Sequence, residues 1–122
     1  MLYNIFDLNK VDIPKEGISC TVKGYFSYQL SDANSNSLQP HCYISEAPED
    51  SSSFIAMSDN IGETIISDDE TFGMLVGGSY AYYGIHALVE GVIERNGDNL
   101  IFSKVKSLTL EKNDLSQRFI FN

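Results

Sequence analysis

The sequence predicts an all-β fold, a small antiparallel barrel with room for one short helix; a β-sandwich is the alternative. Three observations carry this expectation. "ISCTVKGYFSYQL" (Ile18 to Leu30) has an apolar residue or glycine at every even position and mostly polar residues at the odd ones, the period of a half-buried strand. "IHALVEGVIE" (Ile85 to Glu94) alternates in the same way. Between "VIER" and "NLIF" stands Asn96-Gly97, a strong two-residue hairpin signal.

The elements follow in chain order. Thirteen residues is long for a strand, and Gly24 in the middle of 18–30 marks a bend where a barrel turns its corner. "SDANSNS" is a loop by composition. Residues 41–46 form the second strand. Antiparallel pairing across that loop, with positions summing to about 68, sets Cys42 opposite Phe26 and Ile44 opposite Gly24. That register joins two apolar faces and holds Cys20 away from Cys42. "EAPEDSSS" reads as an acidic loop, and "FIAM" (Phe54 to Met57) and residues 63–67 as short strands around the turn "SDNIG". Thr71 to Gly84 is ambiguous, with one or two helical turns capped by Asp68 or Asp69 and stopped by Gly77-Gly78 as one reading. Residues 85–94 and 99–110 pair as a hairpin with Gly91 facing Phe102. The apolar phase breaks beyond Phe102, which predicts a bulge near Ser103. "RFIFN" is a last edge strand. Phe26, Cys42, Ile44, Val89 and Ile93 are expected to be buried together.

The 122 residues amount to one domain, with a core over about 18–112, an N-terminal segment 1–17 and a tail 113–122. A chain of this size buries roughly two thirds of its surface, enough for a core without staples. No apolar run approaches the ~20 residues of a membrane span. The opening "MLYNIFDLNK" lacks the basic lead and apolar block of a secretory signal. Two cysteines without a C-x-x-C pair predict free, buried thiols and a cytoplasmic setting.

Net charge is −9, and its distribution says more than its sum. From Gly24 to Glu94, 71 residues, there is no Lys or Arg, while eleven acids fall in the same stretch. A one-signed field of that kind repels nucleic acid and steers basic partners inward.

Candidate chemistry is sparse. His41 and Cys42 are neighbours on a strand and point to opposite faces, so they make no dyad. His86 and Glu90 share a face but lie too far apart for direct contact. Asp68, Asp69 and Glu70 lack calcium-loop spacing, no Cys/His set has zinc spacing, and "GMLVGGS" lacks the lysine of a phosphate loop. The expectation is therefore no enzyme, no cofactor and no metal.

Through "VKGYF", "HALVEGVIE" and the order of its strands, the stretch 18–112 resembles the OB-fold, a five-strand Greek-key barrel. The resemblance implies a ligand-binding or adaptor module without catalytic activity. Members of that family often bind oligonucleotides on a basic, aromatic groove. Here Tyr25, Tyr43, Tyr80, Tyr82 and Tyr83 supply aromatics, but the cation-free stretch denies the basic groove, so no nucleic acid is expected. In size, charge and texture the chain also resembles the immunity proteins of bacterial toxin systems. That resemblance implies a protein partner, a basic toxin domain such as a nuclease. The residues expected to meet it are Glu46, Glu49, Asp50, Asp68, Asp69 and Glu70, which supply the field, and Tyr80, Tyr82 and Tyr83, which supply rigid contact area.

Overall fold

A computed structural model describes residues 2–29, 42–47, 50–68, 80–112 and 114–121. In chain order the elements are β1 (Leu2–Asn4), α1 (Ile5–Leu8), β2 (Ile18–Gln29), β3 (Cys42–Ala47), β4 (Asp50–Ala56), α2 (Asp59–Asp68), β5 (Tyr80–Asn96), β6 (Asn99–Lys112) and β7 (Leu115–Ile120). Five strands close on themselves in the order β2-β3-β4-β6-β5 and back to β2, a ring rather than two stacked sheets. The β4–β6 pair is parallel, as is the pairing of the added strand β1 with β2; the remaining pairs are antiparallel. β7 extends the sheet from β6.

The expected alternation in β2 holds, with Cys20, Val22, Phe26 and Tyr28 buried. The β2–β3 register places Phe26 against Ile44 and Tyr28 against Cys42, two residues from the expected pairing and therefore on the same faces. Gly24 lies diagonal to Ile44. A Cβ there would stand 2.7 Å from Ile44 Cγ1 and from the Ser45 carbonyl oxygen, so the missing side chain lets Ile44 lie across the strand. Phe26, Cys42, Ile44, Val89 and Ile93 are indeed buried in one core.

The β5–β6 hairpin closes through Gly97-Asp98, one residue later than expected. Gly97 has φ +64° and takes the first turn position, where a type II′ turn requires glycine. The delay moves Phe102 opposite Ile93. The register then shifts between Val92 and Ile93, leaving Ser103 without a partner, and again between Glu90 and Gly91, leaving Lys106. The bulge expected at Ser103 is therefore present, and a second one follows it. Between them Gly91 faces Val105, not Phe102, so close that a Cβ would come 2.1 Å from the Lys104 carbonyl oxygen.

Residues 63–67 are not a strand. They belong to the helix α2, whose Ile61 and Ile65 are buried one turn apart while Glu63, Ser67 and Asp68 are exposed. The stretch "SDNIG", read as a turn, opens that helix, and the Asn60 N–H donates to Ser58 Oγ at 3.3 Å. Ser, Asp and Asn serve turns and helix caps alike, which is why composition misled here. Gly62 lies flat on the Tyr28 ring, with a Cβ position 2.5 Å from Cγ. The acidic loop "EAPEDSSS" is mostly strand, since β3 runs to Ala47 and β4 starts at Asp50. Residues 71–79, with the helical turns considered there, lie outside the described residues.

The N-terminal segment packs into the same core. Ile5 and Leu8 of α1 are fully buried, and α1 touches β1, β2, β3 and β4. Asn4 caps it, its Oδ1 accepting from the Asp7 N–H at 2.7 Å. No described helix is long and apolar enough to cross a membrane.

Both cysteines are buried and unbridged. Burial raises the Cys20 thiol above its ordinary value of 9.0. The neutral thiol thus contributes stability that is full below pH 9.0 and lost as pH rises through the folded-state value. Two outcomes are expected. Thiol titration of the denatured, non-reduced protein finds two free groups, and denaturant melts above pH 9.0 show a steeper loss of stability than the Cys20→Ala variant. Separately, Gly91→Ala forces β6 backbone to move and lowers unfolding free energy by about 1–3 kcal/mol in chemical denaturation, or more if the ring opens.

Candidate functional site

Of the nine residues expected to form one partner surface, the structure describes the side chains of four, Glu46, Asp68, Tyr82 and Tyr83, and they lie in different settings. Glu46 stands at the end of β3, and its Oε2 accepts the Phe6 N–H of α1 at 2.9 Å. Its carboxylate therefore anchors the N-terminal segment. Asp68 stands at the C-terminal end of α2, exposed, and its carbonyl accepts from Gln117 Nε2 of β7 at 2.9 Å. One acid thus lies beside α1 and the other beside β7. Of Asp50 and Tyr80 the structure gives the backbone, Asp50 pairing with Ala47 and Tyr80 with Gln29. Glu49, Asp69 and Glu70 lie outside the described residues.

Tyr82 is a correction. It is 1% exposed, pairs with Tyr28 and holds its ring 5.8 Å from that of Phe26. A ring in that position fills the core and offers nothing to a partner. Tyr83, its neighbour, points the other way and is 40% exposed. Alternation along β5 separates the two, and only one of them can be surface. Gly84 follows with φ +63°, and its N–H donates to Ser27 Oγ of β2 at 3.0 Å. That bond fixes the β5 backbone next to Tyr83 against β2.

The α2 terminus has a clear electrostatic character. The helix ends on Asp68, and no basic residue lies in its last turn. The carbonyl end of a helix carries partial negative charge, so helix pole and carboxylate add. An acid at this end costs the helix a few tenths of a kcal/mol or more when nothing cationic is near.

A second polar region was not anticipated. The outer faces of β5, β6 and β7 carry His86 and Glu90, Ser107, Thr109 and Glu111, and Arg118, brought into line by the register. His86 Nδ1 is 3.6 Å from Glu111 Oε1 and its ring meets Tyr25 edge-on at 5.7 Å. Glu90, which shares a face with His86, instead accepts from Ser107 Oγ at 3.2 Å and lies 3.8 Å from Arg118. Thr21, Leu88, Glu90, Ser107, Thr109 and Arg118 line a shallow groove of about 230 Å³. A larger cleft of about 450 Å³ lies between α2 and the bulged part of β6, lined in part by Ile61, Phe102, Lys104 and Phe121. The sequence signal for the outer face was the even positions of β5, but its partners are fixed only by the two bulges in β6. Among the described residues no three His, Cys, Asp or Glu side chains are grouped to hold a metal ion.

In comparison with known proteins, no family model matches the chain, and neither a curated protein nor a solved structure matches it.

The tyrosine pair gives a direct test of this assignment. Tyr82→Ala should cost about 3–5 kcal/mol of stability, as for other large buried rings. Tyr83→Ala should cost clearly less, about 1 kcal/mol or under, in the same denaturation experiment. A Tyr82→Ala protein as stable as the parent would return that ring to the surface.

Proposed function

We propose that this is an immunity-type protein, which binds a cognate bacterial toxin in the cytoplasm and neutralises it without catalysis of its own. The partner is a basic domain, plausible in chemistry as a nuclease, whose phosphate-binding cations meet acids on this chain. One observation carries the reading: the 71-residue stretch without Lys or Arg supplies β3, β4, α2 and most of β5. Among its described acids, Glu63, Asp68 and Glu90 are exposed, and Asp68 coincides with the negative pole of α2. Tyr83 adds an exposed ring of the kind that anchors interfaces. Charge of this sort acts mainly on the encounter, accelerating association and rejecting nucleic acid.

A second reading is favoured by the strand order. Five ring strands with a helix between the third and fourth are in keeping with an OB-like module, which would bind a ligand or link proteins and again perform no chemistry. The two readings are compatible in fold and differ in partner.

Binding kinetics against a basic domain encoded by a neighbouring gene distinguish them. The Glu63→Lys/Asp68→Lys protein should associate about 10-fold more slowly at low salt, with dissociation little changed. Raising salt should slow association of the parent more than of that variant, because screening lengths fall to ~8 Å at physiological ionic strength. A partner that binds both proteins at the same rate at every salt concentration would reject the acidic surface as the interface.

A further inference from the structure

β7 ends the sheet. Among the described residues it pairs with β6 alone. The Phe121 N–H bonds to the Lys106 carbonyl at 2.8 Å and continues the β6–β7 register, which fixes the phase of the ladder. Hydrogen-bonded pairs alternate in an antiparallel ladder. Phe119, Gln117 and Leu115 therefore bond to β6, and the N–H and C=O groups of Ser116, Arg118 and Ile120 face the open edge. All three of those residues are exposed.

Natural sheets blunt such edges with proline, bulges or several charges. β7 has no proline and its register with β6 is unbroken over six residues. Its single charge is Arg118, and Leu115 and Ile120 at its two ends are 54% and 59% exposed. An edge this regular is a template for another strand.

Charge selects which strand. Residues 99–122 hold four of the eight basic residues, Lys104, Lys106, Lys112 and Arg118, against two of the seventeen acids, Glu111 and Asp114. This is the reverse of the balance elsewhere in the chain. Arg118 lies on the outer face of the sheet, in line with Thr109 and Leu88, 62% exposed and 3.8 Å from Glu90; Lys104 shares that face through its pairing with Val92, as Glu111 does through its pairing with Ser116. On the inner face Gln117 reaches Asp68. An added strand would thus have Arg118 as its nearest charged neighbour on the outer face, with the exposed Lys104, Lys106 and Lys112 outnumbering Glu111 and Asp114 in the hairpin behind it. We propose that the β7 edge binds an extended segment of a partner protein in which acidic residues alternate with small apolar ones, the acids lying on the outer face beside Arg118. The proposal does not depend on the acidic surface of the preceding section. A second copy of this chain fits less well, since β7 paired with its own two-fold mate brings together two hairpins that each carry this excess of cations.

The probe is a synthetic eight-residue peptide alternating Glu with Val, compared with the same peptide carrying Lys for Glu and with a version N-methylated at alternate residues. Each is titrated into the isotope-labelled full chain to millimolar concentration, and amide shifts and hydrogen exchange are followed. The Glu peptide should shift and protect the amides of residues 115–120. The Lys and N-methylated peptides should bind at least 10-fold more weakly. Ser116→Pro removes an outward N–H without touching the ladder to β6; it should leave the melting profile close to the parent's and abolish the peptide shifts. Arg118→Glu should reverse the preference between Glu and Lys peptides. Three results would overturn the proposal: no shift at 115–120 with the Glu peptide, equal binding of the N-methylated one, or sedimentation showing a dimer whose β7 amides are already protected without peptide.

Discussion

The structure depends on the closure of one ring, and closure depends on how near two backbones can approach. β2 pairs with β5 along nearly its whole length on one side and with β1 and β3 in succession on the other. It can serve three neighbours only by bending, and the bend is centred where Gly24 lets Ile44 lie across it. On the far side of the ring the same curvature is produced in β6 by Ser103 and Lys106, which the β5 ladder skips, with Gly91 of β5 pressed against the Lys104 carbonyl between them. Added residues and absent side chains solve the same geometric problem on opposite walls. The core then fills with even-numbered β2 residues and, from β5, with Ala87, Val89 and Ile93 in one phase and Tyr82 in the other. α2 adds Ile61 and Ile65, and α1 adds Ile5 and Leu8.

The strands were legible because their apolar period is two and their inward faces are consistent. A register error of two residues, as between β2 and β3, leaves every side chain on its proper face, so the buried set survived it. The helix was less legible. Ile65 and Ile66 together read as part of a short strand, and only the spacing from Ile61 to Ile65 reveals the turn of a helix. The N-terminal helix has four residues, too few for a periodic signal, and its burial is decided by Glu46, forty positions away.

The candidate site was less legible than the fold, for a physical reason. A run such as "YAYY" states which rings alternate but not which of them face inward, because each phase contains a tyrosine. The decision falls to the bulged part of the β2–β5 ladder, where the register shifts between Phe26 and Tyr28 and again before Gln29. Tyr82 goes to the core as a result. The acids suffer the converse ambiguity: Glu46 and Asp68 have the same chemistry in sequence, but one is engaged by the backbone of α1 while the other is left in solvent on a helix pole. Charge segregation along the chain therefore describes the field of the molecule better than it describes any single contact.

The parallel pairing of β4 with β6 has a consequence for how the chain folds. Ile55 meets Leu100 and Ala56 meets Ile101, contacts that enclose α2 and all of β5 within one loop of chain. Such contacts reward the chain only after a large entropy of closure has been met, which slows folding. On a ribosome β2, β3 and β4 emerge with an unpartnered seam and keep it until β6 has been made. A chain adding 5–20 residues per second leaves that seam open for a period of a few seconds. During that interval the apolar faces of β3 and β4 are available to any nascent neighbour, so the demand on chaperones is concentrated between the completion of β4 and the emergence of β6, in the second half of synthesis.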